Sequence, residues 1–234
     1  MKYGCIGEKL GHSFSKEIHN RLFNYEYELK EIEKQNLEGF MLEKNFCAVN
    51  VTIPYKEKVI PYLDYVDETA QKIGAVNTIV NKDGKLCGYN TDFLGLRALI
   101  LKNKIRLENK KVLILGSGGT AKTAYAVCKS LNAREVYKLS RQQKDGCITY
   151  DDAYLNHTDA DVLINTTPLG MYPNTDAAAD INAFINLSAV VDAVYNPLSS
   201  KLVCKARERG ILAVGGLYML VAQAAFAAEL FTGQ

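Results

Sequence analysis

A glycine-rich turn carries the residue types that point most directly to a chemical role. Gly116, Gly118 and Ala121 have the spacing G-x-G-x-x-A and follow the apolar run 112–115. Good helix formers come next, so the segment predicts a buried strand, a tight turn and the N-terminus of a helix. Free backbone N–H groups and the positive end of the helix dipole meet at such a turn, where they bind a pyrophosphate. The spacing therefore indicates a site for a dinucleotide.

The end of the next predicted strand favours NADP over NAD as that dinucleotide. In an NAD site this strand usually ends in an acidic residue that binds the ribose diol. Here strand 135–139 is followed by Ser140 and Arg141, and no acid is present at that point. A guanidinium pairs with a 2′-phosphate and can stack on adenine. We therefore predict NADP, and a merely solvated Arg141 is the weaker interpretation.

Lys56 and Asp92 have the side chains that alcohol oxidation requires. When a secondary alcohol loses a hydride, some group must take the hydroxyl proton, and a lysine beside a carboxylate can do this. Spacing alone does not pair residues so far apart in the sequence. Taken singly, Lys56 is typical of a surface lysine and Asp92 of an acid in the first turn of a helix. From the residues alone, both interpretations stay open.

Two serines, Ser13 and Ser15, lie between a predicted strand and a predicted helix. A serine at this place is a natural helix cap. Two hydroxyls spaced by two residues at the mouth of a strand can also face a ligand. Capping is the simpler interpretation of their spacing.

Asn50 and Thr52 share one face of the predicted strand 47–53, opposite Val51 and Ile53. The apolar face is expected to lie in the core. Polar residues at alternate positions near the end of a strand indicate either an edge strand or the lining of a pocket. The spacing does not choose between them.

Strands and helices that alternate along the chain must position these residues, and this order is typical of an α/β fold. No internal repeat is visible. Strands are predicted at 3–6, 25–32, 47–53, 75–80, 85–88, 112–115, 135–139, 161–165, 189–193 and 211–214. The clearest helices are predicted at 67–73, 92–102, 124–131, 199–209 and 217–231. The polar segment 103–110 reads as a junction between two domains.

The composition is that of an ordinary globular chain. It has 234 residues, of which 48% are hydrophobic and 23% charged, and a formal net charge of +2. This length allows one large domain or two smaller ones with buried cores. No basic block indicates nucleic acid, no segment has the length of a membrane span, and the first residues lack the apolar stretch of a signal peptide. We therefore expect a cytoplasmic protein.

The six cysteines and three histidines show neither a disulfide nor a metal pattern. No cysteine pair has the C-x-x-C spacing and most lie in apolar runs, so we expect buried, reduced thiols. His12, His19 and His157 lack the spacing of metal ligands. We expect no metal site.

Seven motifs together resemble those of the shikimate dehydrogenase family, in the family's order and across almost the whole chain. They are GHSFS (11–15), NVTIPYKE (50–57), GAVNT (74–78), GYNTD (88–92), LGSGG (115–119), DAVYNP (192–197) and GGLYMLVAQAA (215–225). Each motif is a weak signal, but the set is specific. The resemblance implies two α/β domains with a cleft between them. These are a substrate-binding domain over 1–97, joined by the C-terminal helix 216–234, and a Rossmann-type NADP domain over 98–215.

The resemblance also implies roles for individual residues. Lys56 would be the catalytic residue, with Asp92 as its partner. The substrate carboxylate would be held by Ser13 and Ser15. The rest of the substrate site would be formed by Asn50, Thr52, Lys56, Asn77, Asp92, Tyr195 and Gln223. The cofactor would be held by Gly116, Ser117, Gly118, Gly119, Thr120, Ala121, Ser140, Arg141, Lys144, Thr166, Val194 and Gly216.

The implied reaction is the reversible, metal-free reduction of 3-dehydroshikimate to shikimate with NADPH, in the chorismate pathway to aromatic amino acids. Rivals are a relative that acts on quinate or an aminated shikimate or prefers NAD, and a non-catalytic sensor of the same ligands. A methylene-tetrahydrofolate type dehydrogenase would not explain the paired serines. The chain looks shorter than is usual for the family around 31–45, around 144–152 and after the last helix. A homodimer is therefore open beside a monomer.

Overall fold

The computed structural model describes residues 1–11 and 13–233, so His12 and Gln234 lie outside the described residues. The chain divides into two compact units. The first unit comprises Met1–Gly95 and the C-terminal segment that begins at Val221, and the second comprises Leu96–Leu220. The borders fall inside two helices, α4 (Thr91–Lys102) and α8 (Leu217–Thr232).

The first unit is a mixed sheet covered by helices. Its strands are β1 (Tyr3–Gly7), β2 (Glu28–Glu31), β3 (Ala48–Val51), β4 (Tyr65–Val66), β5 (Thr78–Lys82) and β6 (Lys85–Tyr89). Its other helices are α1 (Ser15–Leu22), α2 (Leu37–Glu43) and α3 (Glu68–Ile73). The strand order is β2-β1-β3-β5-β6-β4. β1 is parallel to β2 and β3, whereas β5 is antiparallel to both β3 and β6.

Local sequence signals account for several of these elements. The Asp67 carboxylate caps α3 by accepting from two backbone N–H groups of its first turn, and Gly74 ends the helix in the left-handed conformation with φ 69°. Asp83 and Gly84 both have positive φ, as a tight hairpin between β5 and β6 requires. The predicted helix over 67–73 and the predicted hairpin are therefore confirmed.

Among the described residues, two hydrophobic clusters lie in the core of this unit. The first joins Ile6 and Val49 of the sheet to Met41 of α2. The second joins Cys5, Tyr27, Ala48 and Val80 to Ala227 and Phe231 of α8. Neighbouring residues of β1 and β3 thus point into different clusters, as the two-residue period of a strand requires.

Two predictions about burial were wrong in part. Ile53 is 66% exposed, because β3 ends at Val51 and the alternation of its faces stops there. Among the cysteines, Cys5, Cys87 and Cys128 are buried, whereas Cys47 and Cys204 are exposed. Cys47 lies between buried neighbours but on the outward side of the chain as it enters β3. An apolar run therefore does not bury every residue in it.

The second unit is a doubly wound parallel sheet. Its strands are β7 (Lys111–Leu115), β8 (Glu135–Ser140), β9 (Ile148–Thr149), β10 (Val162–Asn165), β11 (Ala189–Asp192) and β12 (Leu212–Val214). Its other helices are α5 (Gly119–Ser130), α6 (Tyr150–Asn156) and α7 (Lys201–Glu208). The order is β12-β11-β10-β7-β8-β9, and every pairing is parallel. This is the strand order of a dinucleotide-binding fold.

Strand β9 and helix α6 had no counterpart in the predicted elements. Both are short, so hydrophobic periodicity has little length in which to appear. Thr149 caps α6 by accepting from the Asp152 N–H, and Ala153 is buried in the core of the unit. Packing on this core, rather than helix propensity, stabilises the segment.

Among residues 1–11 and 13–233, no helix combines the length and the apolar composition that a membrane crossing requires.

Candidate active site

The polar residues predicted to bind substrate in the first unit lie around one edge of its sheet. Because β1 and β3 are parallel, with Cys5 opposite Asn50, both strands end at this edge. β5 is antiparallel to β3, so it begins at the same edge, where Thr78 lies opposite Asn50. Thr78 also lies opposite Tyr89, at which β6 ends. The loop after β1, the turn after β3, the start of β5 and the start of α4 therefore emerge together.

Lys56 and Asp92 form an ion pair at this edge. The distance from Lys56 Nζ to Asp92 Oδ2 is 2.6 Å, and the two side chains are only 14% and 11% exposed. The Lys56 carbonyl accepts from the Val76 N–H at 2.8 Å, which ties its turn to the sheet. Asn90 accepts from the Phe93 N–H in the first turn of α4, so Asp92 is not needed as the cap. The pair is screened less than a surface pair, and the carboxylate keeps Nζ in a fixed position.

A chain of buried hydrogen bonds runs through the same edge. Tyr27 Oη donates to Asn50 Oδ1 at 2.6 Å, and Asn50 Nδ2 donates to Thr78 Oγ1 at 3.0 Å. Thr78 Oγ1 donates to Asn77 Oδ1 at 3.1 Å, and Asn77 Nδ2 donates to Thr91 Oγ1 at 3.1 Å. Sequence analysis identified only the two asparagines of this set. Thr78 and Thr91 stand in the motifs GAVNT and GYNTD without a predicted role, and Tyr27 stands in no motif. Only their contacts reveal the three.

The two predicted serines lie at the start of α1. Ser13 Oγ accepts from the Ser15 N–H at 3.3 Å, and both side chains are half-buried. The N-cap position belongs to Phe14, whose side chain makes no capping bond. Neither serine is therefore the N-cap residue, although Ser13 does bind one N–H of the first turn. His12, in the same motif, lies outside the described residues.

Thr52 and Gln223 complete the predicted set in this unit. Thr52 is half-buried, and its Cγ2 lies 2.7 Å from where a Cβ atom at Gly7 would be, so β1 and β3 approach closely at their ends. Gln223 is buried on α8, one turn before Ala227, which packs in the core of the unit. Residues four apart share a helix face. Gln223 therefore continues the face of α8 that covers the sheet.

The predicted cofactor residues of the second unit follow the carboxyl ends of five neighbouring parallel strands. β7 has β8 on one side and β10 on the other, so the chain reverses its direction of winding there. Ligands of such sheets bind at this reversal, beyond the strand ends. The segments concerned are Gly116–Ala121 after β7, Ser140 and Arg141 at the end of β8, Thr166 after β10, Val194 after β11, and Gly216 after β12.

The glycine turn has the geometry of a pyrophosphate site. Gly116 has φ +115°, and a Cβ there would lie 2.8 Å from Thr166 Oγ1, so only glycine fits without displacement. Gly118 is the N-cap of α5, and open space surrounds the position of its missing Cβ. Its lack of a side chain leaves the first-turn N–H groups uncapped by that residue. Donors and open space thus coincide, which fits a dinucleotide.

The end of β8 lies beside this turn, since the Gly116 N–H donates to the Leu139 carbonyl at 3.1 Å. Lys144 reaches back to the turn, with Nζ 3.3 Å from the Ser117 carbonyl and 3.4 Å from Ser117 Oγ. Arg141 is exposed. Lys144 therefore lies at this turn, and Arg141 directly follows the strand end beside it, where its role in binding NADP stays a prediction.

The loops after β10, β11 and β12 are packed against one another. Thr166 Oγ1 donates to the Leu115 carbonyl at 2.7 Å. The Gly216 N–H donates to the Val194 carbonyl at 2.8 Å, and a Cβ at Gly216 would collide with the Ala193 carbonyl. Tyr195 follows Val194 and is half-buried. Gly216 is therefore required by close backbone approach.

A buried carboxylate that sequence analysis missed holds two of these loops. Asp192 accepts from Asn165 Nδ2, from the Val194 N–H and from Ser200 Oγ. Burial raises its pKa, while the three donors oppose that rise. Asp192 stands in the DAVYNP motif, and its polarity at the end of an apolar strand was the available signal. The described residues contain no group of three or more histidine, cysteine or acidic side chains placed to bind a metal ion.

A parallel sheet with a glycine turn for a dinucleotide, and a lysine–aspartate pair in a second α/β unit, define a nicotinamide-dependent dehydrogenase. The chain is 39% identical to the shikimate dehydrogenase (NADP(+)) of Clostridium perfringens, across 99% of this chain and 92% of that relative. The chain belongs to the shikimate dehydrogenase family. The sequence model of the shikimate dehydrogenase substrate binding domain matches residues 5–79.

Solved structures agree with this assignment. Shikimate dehydrogenase 1 from Peptoclostridium difficile has a TM-score of 0.91 and 33% identity, and the match covers 100% of this chain and 93% of that one. Shikimate 5-dehydrogenase from Thermus thermophilus, in complex with NADP(H) and shikimate, has a TM-score of 0.88 and 28% identity, over 100% and 94% of the two chains. The predicted α/β fold class and family are therefore confirmed.

Proposed function

We propose that this chain catalyses the reversible, NADP-dependent reduction of 3-dehydroshikimate to shikimate. The observation that carries the proposal is the ion pair of Lys56 and Asp92 at 2.6 Å, largely withdrawn from solvent. The names of the relatives specify both the reaction and the cofactor. A sensor of the same ligands would have no use for a lysine held in this way, so an enzyme is favoured.

Proton transfer at Lys56 Nζ is the step that this chain supplies. In the direction of oxidation, Nζ takes the proton of the substrate hydroxyl. The carbon that bears this hydroxyl loses a hydride and becomes a carbonyl carbon. NADP, when bound, accepts that hydride at C4 of the nicotinamide. In the direction of reduction, Nζ returns the proton to the oxygen. Asp92 keeps Nζ in place through the ion pair.

The remaining polar residues bind and orient the substrate in this proposal. Ser13 and Ser15 hold the carboxylate, and the remaining proposed substrate residues bind the ring hydroxyls. They are Asn50, Thr52, Asn77, Asp92 and Gln223 of the first unit and Tyr195 of the second. The first unit is accordingly the substrate-binding domain and the second the NADP-binding domain. The donors at the strand ends of the second unit support this division.

Replacement of the lysine tests the proposal. Lys56→Ala removes the proton carrier, and we expect kcat for shikimate with NADP to fall about a hundredfold or more, with a smaller change in KM. Lys58→Ala is the matched control, because Lys58 is an exposed lysine two residues further on. We expect it to behave as the unmodified protein. Equal turnover in the two variants would remove Lys56 from the mechanism.

Substrate and cofactor choice are measured in the same assay. We expect shikimate with NADP to give the highest kcat/KM, above quinate with NADP and above shikimate with NAD. Preferred turnover of quinate would identify a different branch of the family.

The chain is further proposed to act in the cytoplasm as a monomer of 25.9 kDa or as a homodimer. Light scattering distinguishes these two states by mass.

A further inference from the structure

We infer that Tyr27 is a positioning residue of the substrate site, which holds Asn50 at the start of the buried chain Asn50, Thr78, Asn77 and Thr91. This inference rests on the proposed function, because it assigns a role in shikimate binding. Tyr27 belongs to none of the motifs that indicate the family. It is fully buried, and its hydroxyl reaches Asn50 from the opposite side to Asn77.

Backbone groups determine the direction of the hydrogen bonds at both asparagines. Asn50 Nδ2 faces the Asn77 carbonyl at 3.3 Å, and a carbonyl only accepts, so the amide nitrogen must be on this side. Asn50 Oδ1 therefore faces Tyr27, whose hydroxyl must donate. At Asn77, Oδ1 accepts from the Thr91 N–H at 2.7 Å, which places its amide nitrogen beside Thr91 Oγ1. Both amides are oriented without freedom to flip.

Thr78 joins the two asparagines, and its Oγ1 also lies 3.1 Å from Thr91 Oγ1. Its hydroxyl accepts from Asn50 Nδ2 at 3.0 Å and donates to Asn77 Oδ1 at 3.1 Å. A hydroxyl has one proton, so reversing the Asn50 amide would leave two acceptors facing each other or force this proton away from Asn77. Asn50, which Tyr27 holds by its Oδ1, thus contacts Asn77 both through Thr78 and at the Asn77 carbonyl.

The consequence for the proposed substrate site is that the Asn77 side chain keeps one N–H available to a ligand. One N–H of Asn77 Nδ2 donates to Thr91 Oγ1, and within the described residues the other has no protein acceptor. The Thr91 N–H orients this amide, and Asn50, which Tyr27 holds by its Oδ1, supports it through Thr78. Thr91 also precedes Asp92, so the chain ends beside the ion pair but does not include it. Loss of the Tyr27 hydroxyl should therefore weaken substrate binding more than it slows proton transfer.

Two phenylalanine substitutions separate this role from simple loss of stability. Tyr27→Phe removes the donor to Asn50. Tyr25→Phe is the matched control, because Tyr25 lies in the same aromatic cluster but its hydroxyl meets His19 Nδ1 at 2.6 Å. We expect Tyr27→Phe to raise KM for shikimate and the calorimetric Kd for shikimate about fivefold, with little change in kcat. We expect Tyr25→Phe to change neither KM nor Kd.

A second pair of variants tests the path and remains informative if Tyr27→Phe does not fold. Thr78→Val breaks the link between the asparagines and should raise KM for shikimate about as much as Tyr27→Phe does. Thr78→Ser keeps the hydroxyl and should have the KM of the unmodified protein. In the double variant of Tyr27→Phe and Thr78→Val, the effect should be no larger than that of either change alone.

The possible failures are distinguishable. An unmodified protein that binds no shikimate refutes the proposed function and this inference with it. If the unmodified protein binds shikimate and Tyr27→Phe matches Tyr25→Phe, only the inference fails. Fully additive effects in the double variant would also refute it, because Tyr27 and Thr78 would then act separately. An unfolded Tyr27→Phe variant leaves the decision to Thr78→Val, whose KM must rise for the inference to stand.

Discussion

At the scale of single residues, the proposed chemistry depends on a charge pair that is neither exposed nor fully buried. An exposed pair contributes little because water screens it, and a fully buried pair costs much desolvation energy. Lys56 and Asp92, at 14% and 11% exposure, lie between these limits. Each side chain keeps the other from being an uncompensated charge in a poorly solvated place. The lysine thereby gains a fixed position without losing access to a ligand.

The proposed role of Arg141 leads to a prediction about cofactor choice at the same scale. If its guanidinium binds the 2′-phosphate, Arg141→Ala should raise KM for NADP about tenfold and leave KM for NAD unchanged. The reason is that NAD has no phosphate at that position. Gln142→Ala is the control, since Gln142 is the exposed neutral neighbour. Parallel changes with both cofactors would show instead that Arg141 contacts a part that the two share.

At the scale of elements, the turn between β7 and α5 contains two glycines with different reasons for being glycine, one in the fold and one in the proposed binding of a ligand. Gly116 is required by the fold, because its φ is +115° and Thr166 leaves no room for a side chain. Gly118 has an ordinary φ of −86° with open space around it, so the fold itself tolerates a side chain there. We therefore propose that the ligand, to which the backbone must come close, is the reason for this glycine.

This difference predicts the result of Gly118→Asp. Aspartate is at least as good an N-cap as glycine, so the melting temperature without ligand should not fall. Its carboxylate would repel the pyrophosphate, so the rise in melting temperature that NADP causes should be lost. Gly118→Asn is the matched control, with the same size and capping ability but no charge. If both variants respond to NADP like the unmodified protein, the turn does not bind the phosphates.

At the scale of the whole molecule, the predictable features were those with local causes. The strand, turn and helix at β7 and α5 follow from adjacent residues, as do the capping of α3 and the β5–β6 hairpin. The contact of Lys56 with Asp92 could be predicted only from the family resemblance, because it joins residues 36 positions apart. Tyr27 lies 23 positions from Asn50, and no motif marks it. Tertiary contacts decided these features, as they decided the formation of α6.

The division into two units leads to a prediction for the entire chain. Hydrogen exchange followed by mass spectrometry should show shikimate alone slowing exchange around Asn77 and Thr91 in the first unit. NADP alone should slow exchange at Gly118–Lys122 in the second, because amides that bind a ligand are withdrawn from water. The start of β10, at the opposite end of its strand from the cofactor residues, serves as an internal control that neither ligand should protect directly. Protection of Gly118–Lys122 by shikimate but not by NADP would contradict the assignment of the two units. Binding of each ligand alone also separates recognition from catalysis, because no hydride transfer is possible until both are present.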